Sequence, residues 1–278
     1  MSANPKDLIS LSRGDGTSAV VHLHGATLLS WKCKGQEMLF VSKEAVFDNK
    51  KAIRGGIPIV FPNFGPWKHG PQHGFARIKR WDVEHEPGRD VNGNPTVSFS
   101  LCDDEGTRNM WNMKFKLVYT IVLEADSIKL TLTVENTDSI IYDFTCLLHT
   151  YLATPDVTQT KIEGLEGLSY IDKLQNGEKC TEERKIVKIT EGYDRIYKNA
   201  PSEITVSGLD CKSSVKINTK LFSDIVLWNP WEKASGMSDF GDEEYQTMLC
   251  VEPGYLYKTQ EIHPRQVFTF NLTMTRVQ

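Results

Sequence analysis

The stretch KLTLTV at residues 129–134 alternates polar and apolar side chains without a break. A period of two sends successive side chains to opposite faces, so Leu130, Leu132 and Val134 line one side and Lys129, Thr131 and Thr133 the other, the signature of a half-buried strand. The same pattern spreads outward. Val97, Phe99 and Leu101 alternate with Thr96, Ser98 and Ser100, and Val215 and Ile217 alternate with Ser214, Lys216 and Asn218. Near the C-terminus Phe268, Phe270, Leu272 and Met274 alternate with Thr269, Asn271, Thr273 and Thr275. Turn-forming clusters separate these runs: PGRDVNGNP at 87–95, EADS at 124–127 and SGLD at 207–210. The alternation predicts roughly fifteen or more strands. No segment carries the periodicity of a helix of three or more turns, and SKEAVF and SDFGDEEYQTM predict short helical turns at most. A doubly wound α/β fold is thereby excluded, and an all-β, large antiparallel sandwich is expected. With no low-complexity linker, charge block or internal repeat, residues 1–278 are expected to form one domain.

Thirty-two basic residues against 36 acidic ones leave a net charge of −4, which gives no electrostatic reason to expect nucleic acid or an anionic membrane as partner. Any anion site must be local. Six cysteines, Cys33, Cys102, Cys146, Cys180, Cys211 and Cys250, contain no CxxC pair, which fits a reduced cytoplasmic protein. The start MSANPKDLIS lacks a basic segment followed by an apolar run, and no apolar stretch approaches the ~20 residues that span a bilayer. The sequon at Asn271 falls inside a strand pattern and is read as coincidence. GxSxG, GxxxxGK and GxGxxG are absent, which argues against a triad hydrolase, a P-loop enzyme and a nicotinamide enzyme.

Two short segments depart from the strand pattern, RGGIPIVFPNFG at 54–65 and PQHGFAR at 71–77. Gly and Pro set irregular backbone there, and Arg54, Arg77, Gln72 and His73 need solvent, partners or a ligand. Arg presents a planar fork that matches a phosphate, Gln both donates and accepts, and neighbouring Gly allows a ligand to come close. His149, in YDFTCLLHTYL at 142–152, shares the more polar strand face with Asp143 and Thr145, and reads either as a satisfied structural histidine or as an acid or base. Glu252 follows the apolar run MLCV and precedes Pro253-Gly254, expected to end the strand. It is either a solvent-facing strand end or a carboxylate whose proton affinity burial raises. Asp194 either accepts sugar hydroxyls or pairs with Arg195, and LWNPW at 227–231 supplies either core or a face for a sugar ring. His22-x-His24 and His69-x3-His73 have ligand-like spacing, but Gly70-Pro71 denies the second pair a helix, and no metal is expected.

Taken in order from Arg54 to Gly254, the set RGGIPIVFPNFG, PQHGFAR, LLHTYL, DRIY, LWNPW and MLCVEPG resembles the glucose-6-phosphate 1-epimerases, or hexose-6-phosphate mutarotases, of the aldose 1-epimerase superfamily. The resemblance implies a galactose-mutarotase-like β-supersandwich, usually monomeric and without a cofactor. It implies His149 and Glu252 as the catalytic pair. Interconverting anomers needs a proton taken from the C1 hydroxyl and one given to the ring oxygen, which assigns ionised Glu252 as base and protonated His149 as acid. Arg54, Gln72, Arg77 and Asp194 match its substrate contacts, with His73 beside them, and the two arginines favour a phosphorylated sugar. Asn63 stands where the family pattern suggests an apolar residue. Three alternatives remain at this level: an aldose 1-epimerase for free sugars, a non-catalytic carbohydrate-binding module, and a glycosidase or lyase, which would normally need two carboxylates.

Overall fold

In the computed structural model, which describes residues 3–209, 213–219 and 222–277, the strand Ser127–Asn136 pairs antiparallel with Phe115–Leu123 on one side and Val267–Val277 on the other. Asp210, the last residue of the SGLD turn, and Cys211 lie outside the described residues. Leu132 stands opposite both Tyr119 and Phe270, and Leu130, Leu132 and Val134 are fully buried. Continued pairing gives a nine-stranded sheet running from Ile186–Val187 at one edge to Asp82–Arg89 at the other. A second sheet of eight strands includes, in spatial order, Ser169–Asp172, Tyr193–Lys198, Asp224–Asn229, Met248–Ile262, Tyr142–Leu148 and Ile59–Val60. A four-stranded meander from Leu8–Ser12 to Gln36–Glu37 forms the third.

The two large sheets bury their facing sides against each other. Phe144, Cys146 and Leu148 from the eight-stranded sheet join Phe270, Leu272 and Met274 from the nine-stranded one in a common core, with Phe144 and Phe270 centroids 6.2 Å apart. The fold is all-β and antiparallel, as the alternation implies. One six-residue α-helix, Glu105–Met110, was not foreseen, because it is too short to show a period. Its start is a capping box in which the Asp104 carboxylate accepts from Thr107 N–H and the Thr107 hydroxyl accepts from Asp104 N–H. SDFGDEEYQTM contributes the 3-10 turn Glu244–Thr247, whereas SKEAVF makes a turn without a helix. No helix among the described residues is long and apolar enough to cross a membrane, and the five described cysteines are free thiols.

In the eight-stranded sheet, Leu249, Val251, Ile225 and Leu227 face the common core. Their neighbours Glu252, Val226, Trp228 and Asp194 therefore face outward. The segment 54–77 folds over that outer face, anchored by glycines. Gly56 has φ +66°, and a Cβ there would stand 2.2 Å from Leu28 O; at Gly74, with φ +70°, a Cβ would stand 2.2 Å from Phe61 O. These two glycines serve chain-to-chain contact, not the close ligand approach expected of them. Asn63 also has a local role: its Nδ2 donates to the carbonyls of Phe64, Gly65 and Pro66 and ties the loop together.

Candidate active site

Glu252 sits in the middle of Met248–Ile262, since that strand runs on through Pro253-Gly254 and does not end there. Pro253 stands opposite Ile225 in the ladder, and Gly254 lies opposite both Asp224 and Leu147. Only glycine suits this crowded place, where a Cβ would meet Cys146 O at 2.7 Å. Glu252 is thus 1% exposed, and the solvent-facing alternative is excluded.

His149 comes from the adjoining strand where its pairing is interrupted between Leu148 and Tyr151. Its N–H donates to Pro58 O at 3.0 Å, which ties the break to the glycine-anchored loop. The imidazole Nδ1 lies 3.3 Å from Glu252 Oε1. The ring stacks on Tyr151, with centroids 4.7 Å apart, and meets the edges of Trp228 and His73 at 6.0 and 6.1 Å.

A cavity of about 240 Å³ opens on this pair, and Arg54, Arg77, Lys173 and Asp194 line it too. That is smaller than the roughly 300–1,000 Å³ of pockets for drug-sized ligands, and it suits one polar ring. A neighbouring cavity of about 300 Å³ shares Arg54, Gln72 and Arg77 and adds Lys50 and Lys51, extending the cationic side. Gln72 and His73 also line the first cavity, with Gln72 Nε2 3.2 Å from His73 Nε2. His73 Nδ1 accepts from Gly65 N–H. Burial, followed by the charges of Arg77, Lys173 and Arg54, pushes the His73 pKa down to about 3, so this ring is a neutral contact at physiological pH.

The three cations are compensated unequally. Arg54 donates through Nη2 to Asp239 Oδ1 at 3.1 Å and through Nη1 to the Tyr151 hydroxyl at 3.2 Å. Lys173 Nζ donates to both carboxylate oxygens of Asp194, at 3.0 and 2.9 Å. Among the described residues, Arg77 donates only to the Gln72 carbonyl, at 2.8 Å, and its buried Nε has no partner. Burial lowers the Arg77 pKa to about 10, which leaves it charged at neutral pH. Of the three, Arg77 alone has no carboxylate of its own among the described residues.

All seven residues singled out in the sequence converge on this cavity. One of the two readings of Asp194 is overturned. Asp194 does not pair with Arg195: the two alternate across the strand, and Arg195 Nε instead donates to Asp172 Oδ2 at 2.7 Å on the other side. Desolvation, with Asp194 nearby, raises the Glu252 pKa well above its ordinary value, while desolvation and then His73, Arg77 and Arg54 push that of His149 well below. Burial thus disfavours the charged form of both groups. Lys173, Asp239, Tyr151 and Cys250 were missed. Tyr151 was within reach, because it shares the alternating face of His149. The ligand-like histidine spacings come to nothing: His22 Nδ1 accepts from His24 N–H, and His24 Nε2 is bonded to the Lys51 carbonyl, while His69 packs against Trp67.

A buried carboxyl and imidazole face a small cationic cavity on the outer face of a two-sheet sandwich, and the fold is galactose-mutarotase-like. The aldose 1-epimerase model matches residues 7–275, and the chain belongs to that family, making it an isomerase of sugar anomers. A protein of Cenchrus ciliaris, provisionally named glucose-6-phosphate 1-epimerase, is 34% identical over 93% of this chain and 81% of its own length. One of Escherichia coli strain K12 with the same provisional name is 31% identical over 86% of this chain and 80% of its own. The crystal structure of a Salmonella typhimurium protein, YeaD, provisionally described as a mutarotase, superposes with a TM-score of 0.90 at 27% identity, over 99% of this chain and 92% of that one. At 16% identity, galactose 1-epimerase from Lactobacillus acidophilus shares the fold, with a TM-score of 0.76 over 100% of this chain and 97% of that one.

Proposed function

We propose that the chain interconverts the α and β anomers of hexose 6-phosphates, chiefly glucose-6-phosphate, with His149 and Glu252 as its acid–base pair. Arg54, Gln72, His73, Arg77 and Asp194 contact the substrate. The observation that carries this reading is the 3.3 Å approach of His149 Nδ1 to Glu252 Oε1 beside a guanidinium that has no carboxylate partner.

Ring opening removes a proton from the C1 hydroxyl and adds one to the ring oxygen. A pair holding one proton between its two members meets both demands. Glu252 takes the hydroxyl proton as His149 protonates the ring oxygen; rotation about C1–C2 then presents the other carbonyl face, and reclosure reverses both transfers. Carboxylate with imidazolium and carboxyl with imidazole hold the same single proton, and they differ only in which partner has it. A phosphate dianion beside Arg77 offsets the positive charge that disfavours the imidazolium, and so moves the loaded site toward carboxylate and imidazolium. Arg77 is the primary phosphate contact. Arg54, committed to Asp239 and Tyr151, is the secondary one. The enzyme works as a monomeric, cytoplasmic, single-domain protein without a cofactor.

The glycosidase alternative loses support, because the second carboxylate it needs, Asp194, is held by Lys173 through both oxygens. The test is two-dimensional exchange NMR on glucose-6-phosphate with wild type, His149→Ala and Glu252→Gln, and glucose as control. Accelerated exchange lost in both variants supports the reading. Unaccelerated exchange with wild type, while phosphate-dependent line broadening persists, would leave only a binding protein.

A further inference from the structure

Cys250 lies two residues before Glu252 on the same strand, and both face outward. Its Sγ is 3.8 Å from His149 Nδ1, which in turn is 3.3 Å from Glu252 Oε1, and the three donor atoms all lie within 4.8 Å of one another. We propose that His149, Cys250 and Glu252 form a site for a soft divalent cation of the zinc or cadmium class, whose occupancy shuts the enzyme off.

The geometry points there without much rearrangement. Zinc bonds of about 2.0–2.1 Å to imidazole and carboxylate and about 2.3 Å to thiolate, in a tetrahedral array, separate the donor atoms by about 3.3–3.6 Å. The 3.3 and 3.8 Å separations are within a few tenths of an ångström of that spacing, and the third, between Cys250 Sγ and the Glu252 carboxylate, is at most 4.8 Å. Soft thiolate and imidazole donors favour zinc and cadmium over magnesium or calcium, which prefer sets made of oxygen. The three protein donors leave the fourth position to the cavity, where a water molecule completes the tetrahedron.

On binding, the Sγ–H bond of Cys250 breaks and its proton leaves to solvent, and the carboxyl proton of Glu252 leaves as well. The thiolate and carboxylate then offset both charges of the cation, which enters despite the nearby Arg54, Arg77 and Lys173. His149 supplies the Nδ1 lone pair and gives up no proton. Because the metal occupies the acid and the base together, catalysis stops, and a sugar phosphate in the cavity competes with the metal. The expected role is inhibition, not metal-assisted chemistry.

Cys102 is exposed and Cys180 half-exposed, so the test uses a parent with Cys102, Cys180 and Cys211 changed to Ser. Cadmium chloride is titrated while the ultraviolet thiolate-to-cadmium charge-transfer band is recorded, with magnesium chloride as the hard-cation control. The parent is expected to bind one cadmium per chain with this band. Cys250→Ala is expected to lose the band and to bind at least ~100-fold more weakly. Cadmium should abolish the parent's anomer exchange, with recovery on adding a chelator, while Cys250→Ala keeps its own metal-free rate at the same concentration. Cys250→Ser, which preserves side-chain size, repeats the test if the alanine variant does not fold. A band that survives both substitutions, or a parent that shows no band, overturns the site. The titration needs no turnover, so its result and that of the epimerase assay are independent; only the inhibition arm rests on the proposed reaction.

Discussion

The phenol of Tyr151 lies parallel to the His149 imidazole, with planes 10° apart and centroids separated by 4.7 Å, and its hydroxyl receives a hydrogen bond from Arg54. Through this one ring, the cationic side of the cavity and the orientation of the imidazole are joined. Tyr151→Phe keeps the stacking surface and removes the hydroxyl. Steady-state kinetics on glucose-6-phosphate are expected to show kcat down by about tenfold, or ~1.4 kcal/mol in the barrier, with KM changed less. Unchanged kcat would mean that the hydroxyl has no part in holding the imidazole.

The unequal compensation of the arginines separates their effects. Arg77→Ala is expected to lower kcat/KM on glucose-6-phosphate by about 100-fold or more, comparable to deleting a charge-assisted contact of ~3 kcal/mol, and to change the rate on glucose much less. Inorganic phosphate should then cease to compete. Equal losses on both sugars would remove Arg77 from the phosphate site.

Arg54→Ala, in contrast, strips Asp239 of its partner, with side-chain exposures of 24% and 18% for the two residues. Both sugars should suffer, and urea unfolding should show lower stability that Asp239→Asn partly restores in the double variant. No restoration would indicate that the loss comes from another contact of Arg54.

The Glu252 carboxyl is held protonated above its ordinary pKa of 4.5, with burial the main cause. Below pH 4.5 both folded and unfolded chains bind this proton, and above it the unfolded chain releases its proton first, so stability falls as pH rises. Glu252→Gln removes that penalty. Denaturant unfolding is expected to find the variant similar to wild type near pH 4 and progressively more stable than wild type toward pH 8. His149 has the opposite dependence: its pKa lies well below 6.5, so its contribution is complete above pH 6.5 and declines on acidification. A constant difference across the range would show that the carboxyl titrates normally.

Backbone anchoring can be tested with glycines of different surroundings. Gly56→Ala and Gly74→Ala each drive a methyl to 2.2 Å from a carbonyl oxygen, while Gly65→Ala at φ +80° meets nothing within 4 Å. Thermal unfolding should show the first two strongly destabilised, by more than ~2 kcal/mol, and the third by about 1 kcal/mol. Equal effects would indicate that dihedral strain alone decides.

Strand periodicity was legible because burial on one face is a local property of each segment, as Leu130, Leu132 and Val134 show. Arg54, Gln72, His73 and Arg77 stood out because charged and hydrogen-bonding groups in a Gly- and Pro-rich context have few structural uses. Lys173 and Asp239 left no such mark. Each is an ordinary surface-type residue until sheet pairing sets it against Asp194 or Arg54. The central position of Glu252 was hidden for a related reason: Pro253-Gly254 reads locally as a strand end, and only the neighbouring strands show that the ladder accommodates both. The shifted proton affinities of the pair likewise depend on burial that no local pattern reports.

The Arg54–Asp239 bond spans 185 residues of chain and the His149–Cys250 contact 101. Closing such distant loops costs entropy before any contact rewards it, so folds dominated by these pairings form slowly, in milliseconds to seconds. No short segment of the chain holds both members of the His149–Glu252 pair. During refolding, sheet formation should therefore precede recovery of turnover, and the return of catalysis marks the docking of these distant strands on one another.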